Sequence, residues 1–297
     1  MESIRRLPSL LRATLRAYIQ DRTAREAAAL AYFALFALAP LLIVLIEIVA
    51  LVASAHGAMQ VRGAIVAGLA SSIGQAGADG VGALVAATLQ QAHHQGLAAG
   101  IIGWVVLVFA ATGLLSAIQS SLDDIWQVTL AKRPWWSAFK DRLVATALIA
   151  GVAMVLLVSL AVNTGVAAAT RAAAWNGPTF TFAISSLDAA LSFAAVATVF
   201  AALYAFLPHA HVTWKEALSG ATLAAALFVV GQFALSWYLG RAGTSSAFGA
   251  AGSLVVLVLW FYYSGQMFLI GAEFSFAYAL DARSRSNNAR LRSTPHL

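Results

Sequence analysis

The sequence predicts an all-α, polytopic integral membrane bundle: six transmembrane helices with additional interfacial amphipathic helices. Composition is the first reason. Hydrophobic residues make up 61% of the chain and charged residues only 10%, outside the range of a soluble globular domain. The second reason is the presence of six apolar runs, over about 27–53, 97–117, 143–169, 186–207, 217–239 and 253–280. Each approaches or exceeds the roughly 20 residues that a spanning helix needs. The runs are continuous and not alternating, which favours helices over a barrel.

Charge distribution orders these elements. Arg5, Arg6, Arg12, Arg16, Arg22 and Arg25 lie in the N-terminal segment 1–26, and Lys132, Arg133, Lys140 and Arg142 lie between the second and third runs. Lys215, Arg283, Arg285, Arg290 and Arg292 fall on the same side if the runs alternate across the bilayer. Only Arg62, Arg171 and Arg241 fall opposite, so both termini are expected in the cytoplasm. The same accounting absorbs the net charge of +6 without nucleic acid.

Residues 1–26 place Leu7, Leu10, Leu11, Leu15 and Tyr18 at helical spacing among the arginines, the pattern of an amphipathic helix on an anionic membrane face. The run behind it is too long for a signal-peptide core and lacks a convincing cleavage site, so the first span is expected to stay. Between the first two runs, residues 54–96 carry a stripe of Val81, Leu84, Val85, Thr88 and Leu89 after Gly74, Gly77, Gly80 and Gly82. Two short helices on the outer leaflet are expected there.

After the second run, Leu114, Leu115, Ile118, Leu122, Ile125 and Trp126 form a second apolar stripe, read as interfacial, with Trp135 and Trp136 suited to the aromatic belt. Residues 27–280 thus form the transmembrane domain, and 281–297 a basic cytoplasmic tail without regular structure. Three runs on either side of the middle loop would allow an inverted repeat, although the halves show no convincing similarity.

Polar residues inside the runs are the candidate site. A charge at the bilayer centre costs on the order of 2.5–3.5 kcal/mol, so Glu47 and Glu273 require partners, water or protonation. Counted along the helices, Glu47, Asn163 and Gln232 fall at one depth, and Pro40 stands two turns before Glu47 as a kink or hinge. Near the C-terminus Gln266 and Glu273 share a face with Tyr262, next to a small-residue ridge of Gly271, Ser275 and Ala279. Glu273 is therefore expected to point inward. Arg142 and Arg241, near either end, are candidate head-group contacts. Interhelical hydrogen bonding alone would also account for these polar groups.

Other chemistry finds little support. The chain has no cysteine, which removes disulfides and thiolate chemistry. His209 and His211 follow Pro208, where a helix cap and loop is favoured over a metal site, and His93 and His94 read as loop. Asp123 and Asp124 read as partners of Lys132 or Arg133, or as a cap. No phosphate loop, zinc-protease or nucleophile-elbow motif is present, so neither an enzyme nor a cofactor or metal is expected.

Three stretches resemble the YihY/BrkB membrane-protein family, once labelled ribonuclease BN: "DRTAREAAALAYFALFALAPLLIVL", "LYAFLPHAHVTWKEALSGATLAAALF" and "SSAFGAAGSLVVLVLWFYYSGQMFLIGAEFSFAYA". The likeness covers about residues 10–280. Phe248 stands where members often have Tyr, and "EFSFA" where many have a Glu-Leu-Asn type ending. The resemblance implies a six-helix inner-membrane protein with roles suggested in envelope integrity, serum resistance or lipid handling, and it identifies no reaction. Two functions are consistent with all of this. One is a transporter or lipid translocator for an amphipathic or anionic envelope substrate, with membrane lipids and a proton as partners. The other is a non-transporting envelope scaffold. Homo-oligomers are compatible with both, and no converging ligands or nucleic-acid groove support a nuclease.

Overall fold

A computed structural model describes residues 2–52, 97–128, 178–242 and 250–293. Every described element is helical: α1 (Glu2–Gln20), α2 (Thr23–Val52), α3 (Leu97–Ile125), α4 (Pro178–Phe206), α5 (Trp214–Ala242) and α6 (Ala250–Ser293). Among the described residues, three stretches are long and apolar enough to cross a membrane: Ala189–Phe206, Trp214–Ala234 and Val255–Arg285. Their surfaces leave Leu191, Val230, Phe233 and Val255 exposed, as lipid contact would require. The outer loop 54–96 and the run 143–169 lie outside the described residues.

The chain divides into two compact units. One comprises Met1–Thr23, Gln119–Leu227 and Met267–Leu297; the other comprises Ala24–Ile118 and Phe228–Gln266. In the first, helix ends are fixed by local chemistry. The α1–α2 turn places Arg22 in the left-handed region at φ 53, while Asp21 N–H bonds Ala17 C=O. At the end of α3, Val128 N–H bonds Asp123 C=O and Gln127 N–H bonds Asp124 C=O, a Schellman stop with Gln127 at φ 53 where glycine is usual. At the start of α5, Thr213 and Glu216 form half of a capping box: the Glu216 carboxylate accepts from Thr213 N–H at 2.7 Å.

Small residues set the α5–α6 crossing. A side chain on Gly220 would meet Ser275 Cβ at 2.7 Å, and one on Gly271 would meet Gly220 C=O at 2.8 Å, so the two backbones approach as only glycine permits. Ser275 Oγ then donates to Glu216 C=O across the contact at 2.8 Å. This is the ridge read from Gly271, Ser275 and Ala279, all buried. Gly220→Val is expected to cost about 1–3 kcal/mol through overpacking. A fall in the thermal midpoint of the purified protein would register it, and an unchanged midpoint would contradict this packing.

Two sequence expectations change here. Leu122, Ile125 and Trp126 do not lie on a membrane surface; they are buried, and Trp126 meets Phe276 edge to face at 5.4 Å. An apolar stripe serves a protein interior as readily as an interface, and here α6 supplies the interior. Nor does residue 281 begin an irregular tail, because α6 continues as helix to Ser293, with Arg285 paired to Asp281 at 2.8 Å.

The second unit is aromatic. Phe228 packs on Trp260 at 5.5 Å, Tyr32 on Phe36 at 4.6 Å, and the Phe33 ring covers Gly113. Gly231 lies against the Tyr263 hydroxyl, and Gly265 lets α6 approach the backbone of Ala27.

Candidate functional site

The polar groups of the first unit gather where helices end. Glu273 on α6 is 1% exposed, and its Oε1 accepts from the Thr23 hydroxyl at 3.3 Å. Among the described residues its Oε2 has no hydrogen-bond partner. Thr23, itself buried, opens α2, and the exposed Asp21 carboxylate on the same turn stands beside Glu273. The carboxyl group thus lies at the N-terminus of a 30-residue helix, where the backbone dipole favours negative charge, and at the level of a surface turn.

A second cluster lies in the same unit. Asp123 near the end of α3 accepts from His209 backbone N–H at 2.7 Å through Oδ1, and its Oδ2 lies 2.6 Å from His209 Nδ1. One turn back, Gln119 Nε2 donates to Leu207 C=O at 3.1 Å and lies 3.3 Å from His209 Nε2. Asp123 is buried, so its desolvation is offset by two short bonds to a single residue. His209, read as part of a helix end and loop, makes this contact from the bend after α4; Lys132 and Arg133, the expected partners of Asp123, lie outside the described residues. Asp124 is exposed. In the same unit the buried Tyr204 hydroxyl donates to Phe268 C=O, and Tyr204 and Phe268 rings pack at 5.0 Å. Among the described residues, no group of three or more His, Cys, Asp or Glu could hold a metal ion.

The remaining expected site residues distribute differently. Gln232 on α5 and Gln266 on α6 are half-buried and belong to the second unit, whereas Glu273 belongs to the first. Pro40 and Glu47 lie on α2 and Arg241 on α5, with side chains outside the described residues. Asn163 and Arg142 lie outside the described residues altogether. Thr23, Gln119, Asp123 and His209 are the polar residues that sequence reading missed as a site. Their only sequence signal is a polar side chain at the edge of an apolar run, shared with every ordinary helix end.

Helices of this length and apolarity, closely packed through small residues, define a multi-helix membrane protein. The chain belongs to the Virulence factor BrkB family, whose model matches residues 14–294. It is 32% identical over 192 residues to a UPF0761 membrane protein of Alkalilimnicola ehrlichii, covering 62% of this chain and 41% of the relative. A UPF0761 membrane protein of Methylibium petroleiphilum is 30% identical over 202 residues, 68% of this chain and 47% of the relative. One from Legionella pneumophila is 28% identical over 209 residues, 70% and 48%. The chain therefore spans about half the length of these curated relatives. No solved structure matches it.

Proposed function

We propose that this BrkB-family membrane protein is an inner-membrane transporter or lipid translocator for an amphipathic or anionic envelope substrate, with Glu273 as the group that substrate or a coupled proton meets. The observation that carries the reading is a carboxyl group 1% exposed on a spanning helix, with one oxygen unpartnered among the described residues. Such a group is costly to keep for packing alone. Its place beside Asp21 and Thr23, at a surface turn, suits an entry to the pathway. Glu47, Asn163, Gln232 and Gln266 are the other intramembrane polar groups proposed for a pathway, with Pro40 as hinge and Arg142 and Arg241 as head-group contacts. The direct test is flux of lipid and of anionic solutes in vesicles carrying the purified protein. Tight vesicles with every substrate tried would remove transport.

The close α5–α6 crossing favours a second reading, a scaffold whose packed helices and partner contacts are the function. Glu273 would then serve only to tie α6 to the start of α2.

Orientation is part of the proposal. The α1–α2 turn, the end of α3, the α4–α5 connection and the last part of α6 all fall in one unit, and all carry or adjoin the Lys- and Arg-rich segments. Because the chain has no cysteine, single cysteines at Ser9, Asp124, His211 and Ser284 can be labelled one at a time. All four are expected to react from the cytoplasmic side with a membrane-impermeant reagent. Labelling of any of them from the periplasmic side would overturn the topology.

A further inference from the structure

Helix α1 (Glu2–Gln20) carries more apolar surface than its packing uses. Of the stripe that its spacing marks, Leu10, Leu11 and Tyr18 are half-buried together with Ala17. Thr14 among them is 2% exposed, its hydroxyl engaged by Leu10 C=O at 3.0 Å within the helix. These residues form the face turned to the first unit. Leu15, expected in the same stripe, and Ile19 do not share it: they stay 58% and 75% exposed, four residues apart and so stacked on one side of the helix. The free apolar side is rotated from the expected stripe by roughly a quarter turn.

Arginines border that side. Arg12 and Arg16 are exposed, each three residues before one of the apolar pair. Residues 3–20 contain Arg5, Arg6, Arg12 and Arg16 and no Asp or Glu, so the helix does not balance its own positive charge. Two copies of this face would set arginines against arginines, and bulk water would suit the arginines but not Ile19. The headgroup layer of an anionic leaflet meets both demands, with phosphates for the guanidinium groups and acyl chains for Leu15 and Ile19. The chain itself brings a bilayer near, since only Asp21 and Arg22 separate α1 from α2, whose apolar run begins at about residue 27. In the same unit, exposed Phe206 and Trp214 pack edge to face at 5.3 Å beside exposed Lys215, an aromatic and basic pairing suited to a headgroup boundary.

We propose that the Leu15–Ile19 side of α1 is a docking surface for an anionic lipid leaflet, with the two apolar side chains in the acyl region and Arg12 and Arg16 on lipid phosphates. The surface requires no transport activity, so it stands or falls apart from that reading.

The test uses the full chain in vesicles of phosphatidylcholine with or without phosphatidylglycerol. Because the sequence has no cysteine, a nitroxide can be placed on Ile19→Cys, and on Ala13→Cys as an exposed position away from that side. Collision with oxygen, which partitions into acyl chains, and with a water-soluble nickel chelate reports the surroundings of each label. With phosphatidylglycerol present, the oxygen-to-nickel ratio at Ile19 is expected to exceed that at Ala13 several-fold, and to fall towards it without phosphatidylglycerol or at high salt. Arg12→Gln with Arg16→Gln should remove the dependence on phosphatidylglycerol, whereas Arg12→Lys with Arg16→Lys should keep it, since the leaflet responds to charge. Water-like collision at Ile19 in both kinds of vesicle, a ratio indifferent to phosphatidylglycerol, or an unaltered dependence after Arg12→Gln with Arg16→Gln would each overturn the proposal. So would a label at Ile19 shielded from both probes, which would put a second copy or another protein on this side of the helix.

Discussion

Glu273→Gln is expected to abolish flux while leaving expression and the thermal midpoint close to those of the unaltered protein. The amide keeps the volume of the side chain and can still accept from Thr23 through its oxygen. What it loses is the charge and the ability to exchange a proton, the two properties that the proposed transport role requires. Substitution by leucine separates packing from chemistry further. Glu273→Leu alone strands the Thr23 hydroxyl, whereas Glu273→Leu with Thr23→Val removes both sides of the contact and should recover stability without recovering flux. Flux equal to that of the unaltered protein for Glu273→Gln would end the transport role of this residue and favour the scaffold.

The largest effect on stability is expected at Asp123. Asp123→Ala removes the acceptor that the His209 backbone N–H and ring Nδ1 share in a part-buried setting, a loss of about 3 kcal/mol by comparison with other buried polar pairs. Asp123→Asn should not rescue it fully despite its shape. The asparagine oxygen can take the backbone N–H, but its N–H₂ then faces Nδ1, which forces the ring proton to Nε2 and against Gln119. Thermal midpoints of Asp123→Ala, His209→Ala and the double variant form a cycle that isolates the pair. Simple additivity across that cycle would mean the contact contributes nothing.

The helices were legible because an apolar run of spanning length has few alternatives in a chain this hydrophobic, and five of the six runs carry described helices. The ridge of Gly271 and Ser275 was legible because small residues at helical spacing imply a close neighbour. Partners were not legible. Asp123 and His209 are 86 residues apart, and half of their contact is made by a backbone N–H that looks the same at every position. The end of α3 was hidden for a related reason: its left-handed cap is Gln127, and no glycine marks the stop. The Thr213-x-x-Glu216 signal was present in the sequence and does mark the start of α5. Burial of Leu122 and Ile125 could not be separated from membrane contact, since periodicity names the apolar face and not what covers it.

The continuity of α6 has a mechanical consequence. At 1.5 Å per residue its 44 residues extend roughly 66 Å, about twice the hydrocarbon thickness of a bilayer. Its last 20 or so residues, from Glu273 to Ser293, form an arm of about 30 Å that carries Arg283, Arg285, Arg290 and Arg292 on a rigid rod. The glycine contact at Gly271 sits at the root of that arm, and Glu273 lies two residues beyond it, so the buried carboxyl group and the basic residues are carried by one continuous helix.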